Sequence, residues 1–236
     1  MKKLILILLV ALLGSGSILA QQVALPATSI ALTSREGQDL LLHSTSRVAY
    51  WPLSVHHETE VGLSHCGPAS AVMVLNALGI AAPTTLTHPP FHMFEQDNFF
   101  TSATDAILPE AKLKRQGATL EELAAMVTCH GTRVEVYHAA DVSAEEFRRH
   151  ARHAVETPGE FIIINFLRAP LDQQGGGHFS PIAAFHIDSD RLLVMDVARY
   201  KYPPFWTTVS DLHRSMNTVD RTAGKTRGYM VIRGLR

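Results

Sequence analysis

Apolar and polar positions change their period partway along the chain. From Cys66 to Gly79 the run Cys66-Gly67-Pro68-Ala69-Ser70-Ala71-Val72-Met73-Val74-Leu75-Asn76-Ala77-Leu78-Gly79 is apolar almost throughout. With a proline in its first turn and a glycine after its last apolar residue, it predicts a helix buried on all sides. Gly117-Ala118-Thr119-Leu120-Glu121-Glu122-Leu123 reads as an N-cap opening a helix to about Cys129, and residues 143–155 fit a further, amphipathic helix. After Pro158-Gly159 the pattern becomes that of strands, over residues 161–167, 178–187, 192–197 and 228–232. Residues 21–53, mixed in polarity, read as an extended arm or edge strand, and residues 83–100, with prolines, histidines and aromatics in no period, as a loop. Helices first, then strands joined by short turns such as Asp188-Ser189-Asp190, predict an α+β fold with an antiparallel sheet.

The first twenty residues stand apart. Met1-Lys2-Lys3, an apolar run over residues 4–13, the small and polar Gly14-Ser15-Gly16-Ser17 and then Ile18-Leu19-Ala20 read as a secretory signal peptide cleaved after Ala20. The apolar run is about half the ~20 residues that cross a bilayer, so the expected product is an exported, periplasmic protein with no stable membrane insertion. Residues 21–236 are then read as one domain, with no repeat or linker dividing them. Apolar residues make up 46% and charged residues 18% of the chain, which excludes disorder. With 21 basic against 22 acidic residues, no global field draws the chain to nucleic acid. Two cysteines, Cys66 and Cys129, exclude a disulfide framework, and nothing in their placement pairs them. The histidine pairs His56-His57, His88 with His92 and His150 with His153 lack an accompanying cysteine or acidic cage, so no dedicated metal site is expected.

A cysteine opening a buried helix meets free backbone N–H groups and the positive end of the helix dipole, which favour its thiolate. Cys66 holds that position, although most buried cysteines are inert packing residues. A cysteine nucleophile also needs an imidazole to move its proton and a third group to hold that imidazole. His178, at the start of a strand after the flexible Gly175-Gly176-Gly177, and Asp196, amid Leu193-Val194-Met195 and Val197, are the candidates. An acid in such apolar company needs a partner. If the hairpin turn centres on Ile187 the two residues stand opposite each other. Centred on Ser189, it leaves them about 13 Å apart, a gap that a bulge or wider loop would close. Spacing alone leaves both arrangements open.

Three blocks add a resemblance: His65-Cys66-Gly67-Pro68-Ala69-Ser70 with Leu75-Asn76-Ala77-Leu78, Gly176-Gly177-His178-Phe179-Ser180-Pro181, and Met195-Asp196-Val197-Ala198-Arg199-Tyr200-Lys201-Tyr202-Pro203-Pro204. In order and spacing, over residues 50–232, the chain resembles phytochelatin synthases of the short bacterial type, a branch of the papain-like cysteine peptidases. The resemblance implies a helical half carrying the nucleophile and an antiparallel sheet half carrying His and Asp. It implies that Cys66 is acylated by the γ-Glu-Cys unit of glutathione with release of glycine, that His178 is the general base and acid, and that Asp196 orients it. Asp220 and Arg227 match positions that grip the γ-glutamyl unit, and Arg199 and Tyr202 match positions linked to the second substrate. Gly177, the last of the three glycines before His178, is read from the sequence itself as a place where substrate lies against backbone. The resemblance implies no tightly bound cofactor, Cd²⁺ or Zn²⁺ entering as the metal thiolate of the substrate, and a role in heavy-metal detoxification.

One residue departs from the pattern. Papain-like enzymes commonly place Gln six residues before the nucleophile, to donate to the oxyanion, and here that position is Glu60. An ionised carboxylate cannot donate, so Glu60 carries a proton, or another donor serves, or turnover falls by about 100- to 1000-fold. The expected activity is a glutathione γ-glutamylcysteinyltransferase with water as the favoured acceptor. The alternatives are a papain-like peptidase or amidase on another γ-glutamyl or peptide substrate, and a non-catalytic binder of thiol peptides or metal thiolates. The expected partners are glutathione and thiol peptides, with a homodimer left open.

Overall fold

Side-chain caps fix where the helices begin. Thr119 accepts from the backbone N–H of Glu122 and Glu122 returns the bond to Thr119, and Ser143 and Glu146 repeat the exchange. Each satisfies donors that the first helical turn leaves free. The structure, a computed structural model, describes residues 22–235; the leader read over residues 1–20 lies outside them. The elements are β1 (Ile30–Ala31), α1 (Arg35–His43), α2 (Tyr50–Val55), α3 (Cys66–Ala77), α4 (Ser102–Ile107), α5 (Glu110–Gln116), α6 (Leu120–Thr128), β2 (Thr132–His138), α7 (Ala144–Glu156), β3 (Glu160–Leu167), β4 (Gly177–His186), β5 (Arg191–Val194), β6 (Phe205–Thr208), α8 (Val209–Met216), β7 (Val219–Asp220), β8 (Lys225–Thr226) and β9 (Gly228–Gly234).

Seven strands form one antiparallel sheet in the order β1-β6-β5-β4-β3-β9-β2, and β7 and β8 make a separate two-stranded ribbon. β3 and β4 are buried at nearly every position, so helices cover both faces of the central sheet. α3 packs on β4 and β3, while α7 and α8 pack on each other and on β3. Ten consecutive residues of α3, Cys66 to Leu75, are buried, as an apolar helix without a polar face requires. Among the described residues no helix is long and apolar enough to cross a membrane. This is the α+β architecture expected from the order of helical and strand patterns.

Of the extended arm or edge strand expected over residues 21–53, the described residues 22–53 supply a short edge strand, Ile30–Ala31, and α1 and α2 follow it. Ser34 caps α1 by accepting from the Gly37 N–H at 3.0 Å, and Pro52 sits in the first turn of α2, where a missing N–H costs nothing. α1 crosses β1 so closely that a Cβ on Gly37 would lie 2.0 Å from the Ala31 carbonyl oxygen. The Trp206 indole N–H then reaches the Gly37 carbonyl at 3.0 Å. Beyond the four strands that the pattern predicts, β6 lies between β1 and β5, and β2 forms the opposite edge beside β9.

Candidate active site

α3 and β4 bring the chemistry together. Cys66 is the first residue of α3 and His178 the second of β4, and both side chains are buried. A Glu60 carboxylate oxygen, the Cys66 Sγ and a His178 ring nitrogen all lie within 4.8 Å of one another. His178 Nε2 bonds Asp196 Oδ1 at 2.9 Å, which leaves Nδ1 for the sulfur. Cys66 and Cys129 are both free thiols, the first buried and the second exposed.

The sheet register explains how His178 meets Asp196. Beside the turn, His186 pairs Arg191, Phe185 pairs Leu192 and Ala184 pairs Leu193; Ile182 then pairs Val194, so Ala183 is an extra residue in β4. Continued without that bulge, the turn register would set Asp196 opposite Pro181 and hence on the face away from His178. With it, the Met195 N–H bonds the Pro181 carbonyl at 2.9 Å. Asp196 therefore falls opposite Ser180, a same-face diagonal neighbour of His178. β5 also ends at Val194, three residues short of the expected strand. Asp196 Oδ1 accepts from the Ala198 N–H at 2.9 Å, a local turn that takes the chain out of the ladder.

Asp196 is fully buried and fully bonded. Besides His178 and the Ala198 N–H, it receives Arg168 on both oxygens, Nη1 to Oδ2 at 2.9 Å and Nη2 to Oδ1 at 3.0 Å. Burial alone would push its carboxyl up, but His178 and Arg168 hold it well below the ordinary carboxylate range. For His178, burial pushes the imidazole down and the Arg168 charge adds to that. Asp196, with a smaller part from Cys66, overrides both and raises it to about 9. The arrangement therefore keeps a proton on the imidazole beside the sulfur, as a thiolate–imidazolium pair needs.

Glu60 enters from the loop before α3. Its N–H bonds the Val197 carbonyl at 3.0 Å, and Gln96 brackets it, accepting from the Val61 N–H and donating to the Thr59 carbonyl. The Tyr200 hydroxyl donates to Glu60 Oε1 at 2.6 Å. Partial burial and the Glu60 carboxylate hold the Tyr200 phenol well above its ordinary range, so it stays a donor. Oε2 is buried and has no hydrogen-bond partner among the described residues.

Cys66 opens onto a cavity of about 820 Å³ that Asn165, Gly177, Asp220 and Arg227 also line. Asp220 lies on β7, and Arg227 links β8 to β9, its Nη1 donating to the Val219 carbonyl at 2.9 Å. Nη2 stands 3.9 Å from the Asp220 carboxylate, and the Arg227 Nε is buried without a partner among the described residues. Gly177 lets that guanidinium lie against the backbone, since a Cβ there would stand 3.0 Å from both Nε and Nη2. On the other side of His178, Glu60, Tyr200 and Lys201 line a smaller cavity of about 230 Å³.

Two residues read as substrate contacts are placed elsewhere. Tyr202 is buried beneath the Arg168 guanidinium, 5.1 Å from its ring centroid, and its hydroxyl accepts from the Gln174 N–H. With its ring covered and its oxygen engaged, it faces neither cavity. Arg199 is exposed and donates to the His57 carbonyl at 3.2 Å, outside the lining of both cavities. Arg168, Tyr200 and Gln96 are the residues that sequence reasoning missed. Arg168 carried a weak signal, a cation directly after a buried apolar strand, where a counter-charge is needed.

The chain is similar to known proteins over most of its length. The sequence profile described as Phytochelatin synthase matches residues 20–229. Glutathione gamma-glutamylcysteinyltransferase 1 of Lotus japonicus is 35% identical over 210 residues, 88% of this chain and 40% of that protein. Glutathione gamma-glutamylcysteinyltransferase 3 of the same plant is 33% identical over 211 residues, 88% and 43% of the two chains. The Schizosaccharomyces pombe glutathione gamma-glutamylcysteinyltransferase is 29% identical over 211 residues, 88% and 50%. The chain thus spans half or less of the length of these relatives. With the family profile covering nearly all of the described residues, the chain belongs to the phytochelatin synthase family.

Proposed function

We propose that the protein cleaves the Cys–Gly amide bond of glutathione through an acyl-enzyme on Cys66. The observation that carries this reading is the buried Cys66–His178–Asp196 array opening onto a cavity that also presents Asp220 and Arg227. The carboxylate and guanidinium suit the ammonium and carboxylate of a γ-glutamyl group. The Cys66 thiolate attacks the amide carbonyl carbon, and free N–H groups at the α3 N-terminus stabilise the developing oxyanion. His178 gives its proton to the glycine nitrogen, the C–N bond breaks, and glycine leaves a γ-Glu-Cys thioester. A second nucleophile then attacks the thioester carbon, His178 takes its proton, and the Cys66 sulfur leaves.

Water gives γ-Glu-Cys, and the amine of a second thiol peptide gives a longer chain. The cavity of about 230 Å³ beside His178, against about 820 Å³ on the acyl side, supports water as the main acceptor. In this reading Cd²⁺ or Zn²⁺ enters as a thiolate complex of the substrate, and the signal-peptide pattern over residues 1–20 supports a periplasmic reaction. The test is reduced protein on glutathione, with and without Cd²⁺, following glycine, γ-Glu-Cys and longer thiol peptides by mass spectrometry. Glycine release abolished in Cys66→Ala is the expected result, with γ-Glu-Cys exceeding longer peptides. One observation favours a second reading, a thiol-peptide binder without turnover: the Glu60 carboxylate occupies the space beside the sulfur. Glutathione binding with no glycine under any condition would select it.

A further inference from the structure

Glu60, Cys66 and His178 form a cluster of three different donors, all buried, converging where the two cavities meet. Glu60 and His178 each have their other polar atom engaged elsewhere. Glu60 Oε1 takes the Tyr200 hydroxyl, and His178 Nε2 is held by Asp196, which is in turn held by Arg168. What faces the common centre is one carboxylate oxygen, one sulfur and one ring nitrogen, and a cation bound there displaces the His178 proton to solvent. The oxygen left over, Oε2, is buried and without a hydrogen-bond partner among the described residues, a costly state for an acceptor unless something comes to it.

We propose that Glu60, Cys66 and His178 constitute a direct binding site for a free Zn²⁺-class divalent cation, and that its occupancy silences the nucleophile. Sulfur, imidazole and a single carboxylate select Zn²⁺, Cd²⁺ or Co²⁺ over Mg²⁺ and Ca²⁺, which require more oxygens. Three protein donors leave a fourth position open. An acid-held imidazole presenting its other nitrogen is also the outer arrangement that metal sites use to orient a histidine ligand. Tetrahedral zinc with these donors sets them about 3.3–3.6 Å apart. From the separations of up to 4.8 Å here, they close by about 1 Å, mostly through the unbranched Glu60 side chain. The cation takes the same sulfur lone pair that would attack a carbonyl, so binding and acylation exclude each other. This inference does not depend on which substrate the enzyme uses, and it concerns the free ion, not a metal thiolate of the substrate.

The experiment is titration of the reduced full chain with Co²⁺ alone, in the absence of any thiol peptide, following thiolate-to-cobalt charge-transfer absorption, and then displacement by Zn²⁺. The proposal expects one equivalent bound, an unchanged signal in Cys129→Ser, and no signal in Cys66→Ala. Glu60→Gln, which keeps the side-chain shape, is expected to weaken binding at least about tenfold, with circular dichroism confirming its fold. No charge-transfer signal in the wild type, or a signal that survives Cys66→Ala or disappears in Cys129→Ser, overturns the site. Equal affinity in a folded Glu60→Gln overturns the three-donor assignment.

Discussion

Replacing Arg168 by Met tests whether the buried Asp196 carboxylate is held by its neighbour or by His178 alone. The guanidinium is 3% exposed and the Asp196 side chain 0%, and two bonds of 2.9 and 3.0 Å join them. Removing one partner of such a pair leaves the other charge buried and unmatched, which costs about 3–5 kcal/mol. Asp196 Oδ2 would lose its bond to Arg168, while Oδ1 would keep His178 and the Ala198 N–H. Against a typical total stability of about 5–15 kcal/mol, the variant still folds but with a large drop in urea midpoint. The assay is urea unfolding of wild type, Arg168→Met, Asp196→Asn and the double variant. Because both single changes orphan the same interaction, the double variant should lose less than their sum by at least about 2 kcal/mol. A single-variant loss under about 1 kcal/mol with unchanged slope, or strict additivity, would refute the reasoning.

Further outcomes follow from the same geometry. The rise of His178 from 6.5 to about 9 corresponds to roughly 3 kcal/mol favouring its protonated form. That stabilisation is fully present below pH 6.5 and lost as pH rises through about 9. Urea unfolding at pH 6, 8 and 10 should therefore show a decline in wild type that is absent in His178→Gln. Gly177→Ala presses its new Cβ on Arg227 and displaces the guanidinium by a few tenths of an ångström. Since 1 Å of misplacement costs about 100-fold, KM for glutathione should rise roughly threefold to tenfold with kcat within about twofold. An unchanged KM would remove Arg227 from the substrate site. Thr119→Ala deletes the cap of α6 and should cost about 1 kcal/mol in the same unfolding assay, with no change in glycine release.

The readable parts of the sequence were those where one physical signal dominated. α3 was legible because an all-apolar run bracketed by proline and glycine has one outcome, and α6 and α7 because their capping residues spell out the first turn. α1 was not, because its polarity is mixed and only Gly37 is buried along it; its place comes from Trp206, far away in sequence. Cys66, His178 and Asp196 could be nominated from local context. Their meeting depended on a register that spacing left open, and a single extra residue decided it. Arg168 was hidden because a lone arginine after a strand looks the same whether it is solvated or bound to an acid 28 residues on. Tyr202 was named through the resemblance alone, and nothing in its local sequence announces that its ring packs under the guanidinium that serves Asp196.

The bulge at Ala183 makes the active site a matter of phase as well as of residue identity. On one side of it β4 keeps step with β5 through Ala184, Phe185 and His186; on the other it keeps step with β3 from Ile182 to Gly177. Removing one residue from β5 between Leu193 and Met195 would bring Asp196 opposite Pro181, and His178 and Asp196 would then look out from opposite sides of the sheet, whereas removing Ala183 itself leaves Ile182 opposite Val194 and the two residues on one face. Cys66, His178 and Asp196 would all still be present in the sequence. A one-residue deletion in β5, one to three positions before Asp196, would therefore undo the His178–Asp196 contact as completely as replacing Asp196 itself.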